Sequence, residues 1–175
     1  YKRQDYITIS EFADGYGRPR IVLTEYQDPL IIWRKDASPK VLRASKWDGN
    51  SFTQPYDILS PDILPTSWDG PEAVSKGDTV YVVFTSSATS NTSIMLIKSF
   101  DGGTIFSDTI RVSPQSNSYK YRMPNVSIKP DGNPVVSYMQ YLLNWMEPKQ
   151  IVATSNDYGS SFTSTTEASA LAPGE

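Results

Sequence analysis

Two residue types are missing from the 175-residue chain: cysteine and histidine. Without cysteine there is no disulfide and no thiolate chemistry, although compartment stays open. Without histidine, a Ser-His-Asp or Cys-His mechanism cannot run from this chain alone, and the commonest metal ligand is gone. Charge of either sign is sparse. Sixteen Lys/Arg stand against nineteen Asp/Glu for a formal net charge of −3, with no long basic run. Nucleic acid is therefore not an expected partner, because backbone recognition needs concentrated positive charge. No apolar run reaches the roughly 20 residues of a membrane helix, so no membrane insertion is expected. The chain opens at Tyr1 inside what reads as running sequence, so a missing leader says nothing about secretion.

What is present points to strands. Aromatic and β-branched residues are frequent, and 13 prolines and 10 glycines cut the chain into short pieces. That is the composition of an all-β domain.

Four landmarks recur with nearly one spacing. Pro19, Pro71 and Pro124, 52 and 53 residues apart, each open a short strand. A polar turn follows each, as Tyr26–Pro29, Lys76–Asp78 and Asp131–Pro134. Then come apolar strands ending in an aromatic: Leu30–Trp33, Val80–Phe84 and Val135–Tyr138. A third strand (Val41–Ala44, Ile94–Ile97, Ile151–Ala153) runs into an octapeptide turn ending in Phe52, Phe106 or Phe162. A more polar fourth strand starts there, such as Thr109–Val112. Four short strands per repeat describe a β-propeller blade, which needs neighbours to cover both faces of its sheet. A three-copy sandwich or a β-helix fits less well, because neither repeats one turn chemistry at this period. The fold expected is all-β: a propeller of four-stranded antiparallel blades, three in this chain, within a six- or seven-bladed ring. The expected divisions are 1–12 (the outer strand of a preceding or partner blade), 13–60, 61–114 and 115–170 (the blades) and 171–175 (the start of a further connection).

The octapeptides resemble the Asp-box, or BNR repeat, of sialidases and related propellers: Ser-x-Asp-x-Gly-x-x-aromatic. Ser99, Asp101, Gly103 and Phe106 supply its fixed positions in one copy, and Ser155, Asp157, Gly159 and Phe162 in another. The first copy, Ser45 to Phe52, is degenerate: Trp47 stands where aspartate belongs and Asp48 comes one place late, while Gly49 and Phe52 hold their places. The resemblance implies that these residues shape turns and perform no acid/base chemistry. A calcium loop is a poor alternative, since too few oxygen ligands recur. No metal or cofactor is expected.

Three blades do not close a ring. Two completions are open: further blades of the same protein, or a second copy supplying the missing half. The opposite face from the octapeptides receives the inter-blade connections and the loops between second and third strands. Arg18, Arg34, Arg122, Tyr141, Trp145 and Glu147 are its candidate ligand-binding residues, with Asp36, Trp68 and Asp69 beside them. Tyr121-Arg122-Met123-Pro124 resembles the Tyr/Phe-Arg-Ile-Pro motif of sialidases, where the arginine holds a substrate carboxylate; Arg18-Pro19 is a shifted echo. A planar guanidinium suits that task through paired hydrogen bonds. No tyrosine nucleophile with a glutamate partner can be assigned. Asn91-Thr92-Ser93 and Asn125-Val126-Ser127 fit the glycosylation triplet.

The function expected is a non-catalytic propeller segment that binds a glycan or protein, or serves as an extracellular scaffold, secreted or at the cell surface. The alternative is part of a sialidase-like exo-glycosidase in which Arg122 helps to bind a carboxylate and the other catalytic residues lie outside this chain.

Overall fold

A computed structural model describes residues 7–9, 18–60, 63, 65, 69–88 and 91–166. Twelve strands form three four-stranded antiparallel sheets, each a simple meander. The first contains β1 (Arg20–Leu23), β2 (Pro29–Lys35), β3 (Val41–Lys46) and β4 (Tyr56–Asp57); the second, β5 (Glu72–Lys76), β6 (Thr79–Ser86), β7 (Ser93–Ser99) and β8 (Ile110–Arg111). The third contains β9 (Tyr119–Ile128), β10 (Pro134–Leu142), β11 (Lys149–Thr154) and β12 (Thr163–Thr166). No helix occurs among the described residues. These are the three blades expected from the repeat.

The fourth strands are shorter than the sequence suggests, only two residues each in β4 and β8. Conversely, β9 begins five residues before Pro124. It bends at Met123, which lies at φ 55°, and its pairing with β10 shifts between Ser137 and Met139. The alternation Tyr119-Lys120-Tyr121-Arg122 is itself a strand pattern, and the bulge lets Pro124 sit within the strand without breaking the ladder. Of residues 1–12 only 7–9 can be described, and residues 171–175 lie outside the described part.

Packing follows from the side-chain period of two. On β6, Val80, Val82 and Phe84 pack toward the first sheet, against Leu30, Ile32, Leu42 and Ala44. Tyr81 and Val83 point the other way, into a cluster with Val136, Tyr138, Ile151 and Ala153 of the third sheet. The middle sheet is therefore buried on both faces. On the first sheet's other face Trp33 and Val41 are buried, at 3% and 1%, while Ile21 and Leu23 of β1 are 63% and 48% exposed.

Hydrogen bonds about one repeat apart in sequence bind the sheets to one another. The Tyr56 hydroxyl donates to the Gly103 carbonyl (2.5 Å) and the Tyr81 hydroxyl to that of Gly132 (3.1 Å). Ser75 Oγ donates to Leu23 O (2.6 Å), and Lys98 Nζ donates to Tyr158 O (2.8 Å). Arg20 grips Glu72 between the neighbouring strands β1 and β5.

Candidate functional site

The octapeptide turns come first, because they fix which face is available. Ser99 Oγ donates to Asp101 Oδ1 (2.6 Å) and accepts from the Gly103 N–H (2.9 Å), while Asp101 Oδ1 also accepts from the N–H groups of Thr104 and Ile105 (both 3.0 Å). The third sheet repeats this: Ser155 Oγ donates to Asp157 Oδ1 (2.7 Å) and accepts from Gly159 N (2.8 Å), and Asp157 Oδ1 accepts from Ser160 N and Ser161 N (3.0 and 2.9 Å). Gly103 and Gly159 lie at φ 87° and 77°, where glycine avoids a steric penalty. The carboxyls of Asp101 and Asp157 are held below the usual range. At Asp101 burial pushes upward and is outweighed by the Ile105 N–H, the Ser99 hydroxyl and the Thr104 N–H; at Asp157 the Ser161 and Ser155 hydroxyls lead. In both, Oδ1 takes three hydrogen bonds from the turn itself, so these aspartates shape backbone.

The first copy is rebuilt locally. Trp47 and Phe52 bridge and meet edge-on at 5.3 Å, making a short hairpin. Asp48 Oδ1 accepts from Asn50 N and Ser51 N (2.9 and 2.8 Å), Gly49 takes φ 97°, and Ser45 Oγ donates instead to Thr53 O (2.7 Å). These turns pack against the β1–β2, β5–β6 and β9–β10 hairpins, as in Gly102 N to Asp78 O (2.9 Å) and Tyr158 N to Asn133 Oδ1 (2.7 Å).

A hollow of about 340 Å³ lies beside the second octapeptide, lined in part by Phe100, Ile105 and Phe106. Its two charged wall residues are occupied already, Lys98 with the next turn and Asp101 with its own. The opposite face offers more chemistry.

There, Arg34, next to last in β2, lies at the junction of the first two sheets and is only 1% exposed. One guanidinium nitrogen, Nη2, donates to Asp36; Nη1 is buried without a hydrogen-bond partner among the described residues. Burial lowers the pKa of Arg34, opposed by Asp36, and positive charge on nearby Arg18 lowers it further. Arg18 is exposed and adopts φ 42°, with its stem laid against Gly70 of the second sheet's entry segment. A Cβ at Gly70 would stand 2.6 Å from Arg18 Cβ, so glycine is what admits this side chain.

The preceding residue, Asp69, is buried and takes four hydrogen bonds. Arg122 supplies two, Nε to Oδ2 (3.0 Å) and Nη2 to Oδ1 (2.8 Å); Met123 N (3.1 Å) and Thr85 Oγ1 (2.9 Å) supply the others, both to Oδ2. Burial pushes the Asp69 carboxyl up, but Arg122, the Met123 N–H and Thr85 outweigh it and hold it low. The Nε–Nη2 edge of Arg122, suited to a substrate carboxylate, thus already holds a carboxylate of this chain.

Beyond Arg122 the β10–β11 loop carries Trp145, with Lys120 Nζ 4.4 Å and Arg122 Cζ 5.5 Å from the ring centroid and the Tyr141 ring edge-on at 5.7 Å. Glu147 is exposed at φ 53° near the loop's end. Tyr138 is a packed core aromatic. Trp68 falls outside the described residues. Arg18, Gly70, Asp69, Arg122 and Trp145 therefore form one continuous chain of contacts and sequence neighbours, while Glu147 makes no hydrogen bond to it among the described residues. Sequence reading did not single out Lys120, nor pair Asp69 with Arg122. The available signal was spacing: Asp69 and Arg122 are 53 residues apart, one repeat.

Among the described residues no group of His, Cys, Asp and Glu could hold a metal ion, and no helix is long and apolar enough to cross a membrane. No family model and no curated protein matches the chain. Solved structures do match in fold. A Hadza microbial sialidase aligns at 14% identity and TM-score 0.63, covering 83% of this chain and 37% of that one. An ulvan lyase bound to a glycan containing GlcA aligns at 11% identity and TM-score 0.59, over 83% of this chain and 42% of its own. The Penicillium chrysogenum α-L-arabinanase, complexed with arabinobiose, aligns at 9% and 0.58, over 90% and 54%. The chain thus spans between 37% and 54% of these structures' lengths. Identities this low speak to the backbone alone: the chain is three blades of an all-β, propeller-type fold, similar to that of several glycan-active proteins.

Proposed function

We propose that this chain is a non-catalytic segment of an Asp-box propeller that binds an acidic glycan, with the sugar carboxylate received between Arg18 and Arg34. The observation that carries the reading is the buried Nη1 of Arg34, which has no partner among the described residues and feels the charge of exposed Arg18. A buried N–H without an acceptor costs about 1–3 kcal/mol, and a carboxylate ligand would remove that cost. The two intact octapeptides support the Asp-box assignment. The glycan-active neighbours, among them a sialidase and a lyase bound to a GlcA-containing glycan, support a sugar ligand. The exposed Ile21 and Leu23 on the outer side of the first sheet fit a ring completed by further blades, from the same protein or a second copy. Secretion or cell-surface display belongs to the same reading.

The expected result is binding of sialylated or uronate-bearing glycans on an array, at least tenfold weaker in Arg18→Ala, with no turnover of a fluorogenic sialoside. Turnover by the wild-type chain would replace this reading with the exo-glycosidase one, in which Arg122 contributes. Equal binding of neutral and acidic glycans would refute the carboxylate contact.

A further inference from the structure

The third sheet carries a second built feature on the same face. Three non-glycine residues in one corner occupy the left-handed region: Met123 at φ 55°, Trp145 at 67° and Glu147 at 53°. Each costs of order 1 kcal/mol or more, so surrounding contacts must hold them there. What they present is one indole ring. Trp145 N donates to Leu142 O and Leu142 N to Met146 O, both at 2.9 Å, closing the loop beneath the ring. Met146 N donates to Asn144 Oδ1 (3.1 Å). Tyr141 meets the ring edge-on, and the two cations lie over it.

The cations differ in what they have left to offer. Arg122 is fixed by Asp69. Lys120 has no carboxylate partner among the described residues, and its Cα pairs across the strands with that of Tyr141. Trp145 nevertheless remains 44% exposed. A rigid, partly exposed aromatic beside an unneutralised ammonium suits a ligand with both an apolar C–H face and a negative charge. A pyranose carrying a carboxylate or sulfate has both.

We propose that Trp145 is a stacking platform for a second sugar of an anionic oligosaccharide, with the Lys120 ammonium moving off the ring it now covers to meet that sugar's acidic group. The inference rests on the glycan-binding reading above and extends it along the contact chain from Arg18 through Gly70, Asp69 and Arg122. A protein contact would favour an apolar rim that shuts water from the aromatic; exposed Met123 and Met146 offer some of that, but the groups nearest the ring are charged.

The test is calorimetric titration of the full chain with glucuronic acid, an oligoglucuronate and a neutral xylo-oligosaccharide, using wild type, Trp145→Ala, Lys120→Gln and Arg18→Ala. Trp145→Ala should weaken oligoglucuronate binding about tenfold or more, an effect of at least ~1.4 kcal/mol, and spare glucuronic acid. Lys120→Gln tests the same site without removing the ring and should weaken only the charged oligosaccharide. If both variants bind the oligoglucuronate as wild type does while Arg18→Ala fails, the platform is overturned and the Arg18–Arg34 reading stands. If Trp145→Ala and Lys120→Gln fail while Arg18→Ala binds normally, the platform stands and that reading falls. Wild type binding none of the acidic sugars sinks both. Unchanged sugar affinity with loss of self-association in light scattering would assign the ring to protein contact and overturn the platform.

Discussion

The Arg122 guanidinium and the Asp69 carboxylate meet as two parallel hydrogen bonds, Nε–Oδ2 at 3.0 Å and Nη2–Oδ1 at 2.8 Å, joining the third sheet to the second. Both side chains are largely buried, 16% and 8% exposed. Removing one member strands the other, which costs about 3–5 kcal/mol for a buried pair. Arg122→Ala and Asp69→Ala are each expected to lower stability by about 3 kcal/mol in urea denaturation. The double variant should lose clearly less than the sum. Additive losses would show that the pair is not coupled.

Arg34 predicts the opposite balance. Arg34→Met removes a buried, half-satisfied guanidinium and keeps much of the volume, while Asp36, 24% exposed, can return to water. The variant should match or exceed the wild-type melting temperature yet lose acidic-glycan binding, the pattern of a site residue held at a cost in stability. A fall of several degrees would identify Arg34 as a structural support.

The turn serines separate the intact octapeptides from the rebuilt one. Ser99→Ala and Ser155→Ala each leave a buried glycine N–H, of Gly103 or Gly159, without its acceptor, at about 1–3 kcal/mol. Ser45→Ala removes only a donor to Thr53 O, a carbonyl in a partly exposed turn, and should cost less. Gly103→Ala should be worse than Gly49→Ala: the first puts a Cβ 2.4 Å from Leu30 Cδ2 in the core, the second meets nothing within 4 Å. Chemical denaturation of the set orders them; a Gly49→Ala loss equal to that of Gly103→Ala would contradict the packing.

Stability should fall at both ends of the pH scale. Asp69, Asp101 and Asp157 have folded pKa values below their unfolded ones. Their contribution is present above the unfolded carboxylate value of about 3.9 and is lost as pH drops through the folded values. Tyr56 and Tyr81 are pushed up to about 12, chiefly by burial, with Asp101 adding at Tyr56 and Tyr158 and Asp131 at Tyr81. Their contribution is present below the unfolded tyrosine value of about 10 and is lost as pH rises through about 12. Melting temperatures across this range check both arms, and Tyr56→Phe should flatten the alkaline one.

The blades were legible because one short pattern recurs at a nearly constant spacing, and its residues have local roles. Ser99, Asp101 and Gly103 bond mainly to one another, so sequence neighbours suffice to predict them. Arg122 was different. Its sequence context suggested a ligand, whereas its partner lies one repeat away, a relation that becomes visible only when charges are compared across copies; Arg20 and Glu72, 52 residues apart, show the same relation. The burial of Arg34 at the end of an otherwise apolar strand left no mark in composition. The sequence puts the start of β9 at Pro124 because proline commonly opens a strand, whereas the alternating residues before it already pair with β10.

The central strand β6 is paired on both edges, by β5 and β7, and packed on both sides. Its amides therefore have no private route to solvent, since freeing them means parting the first sheet, the third, or a neighbouring strand. The flanks can fray while β6 stays closed, which makes its amides the slowest in the chain to take up deuterium. Their exchange measures the free energy of opening the whole arc.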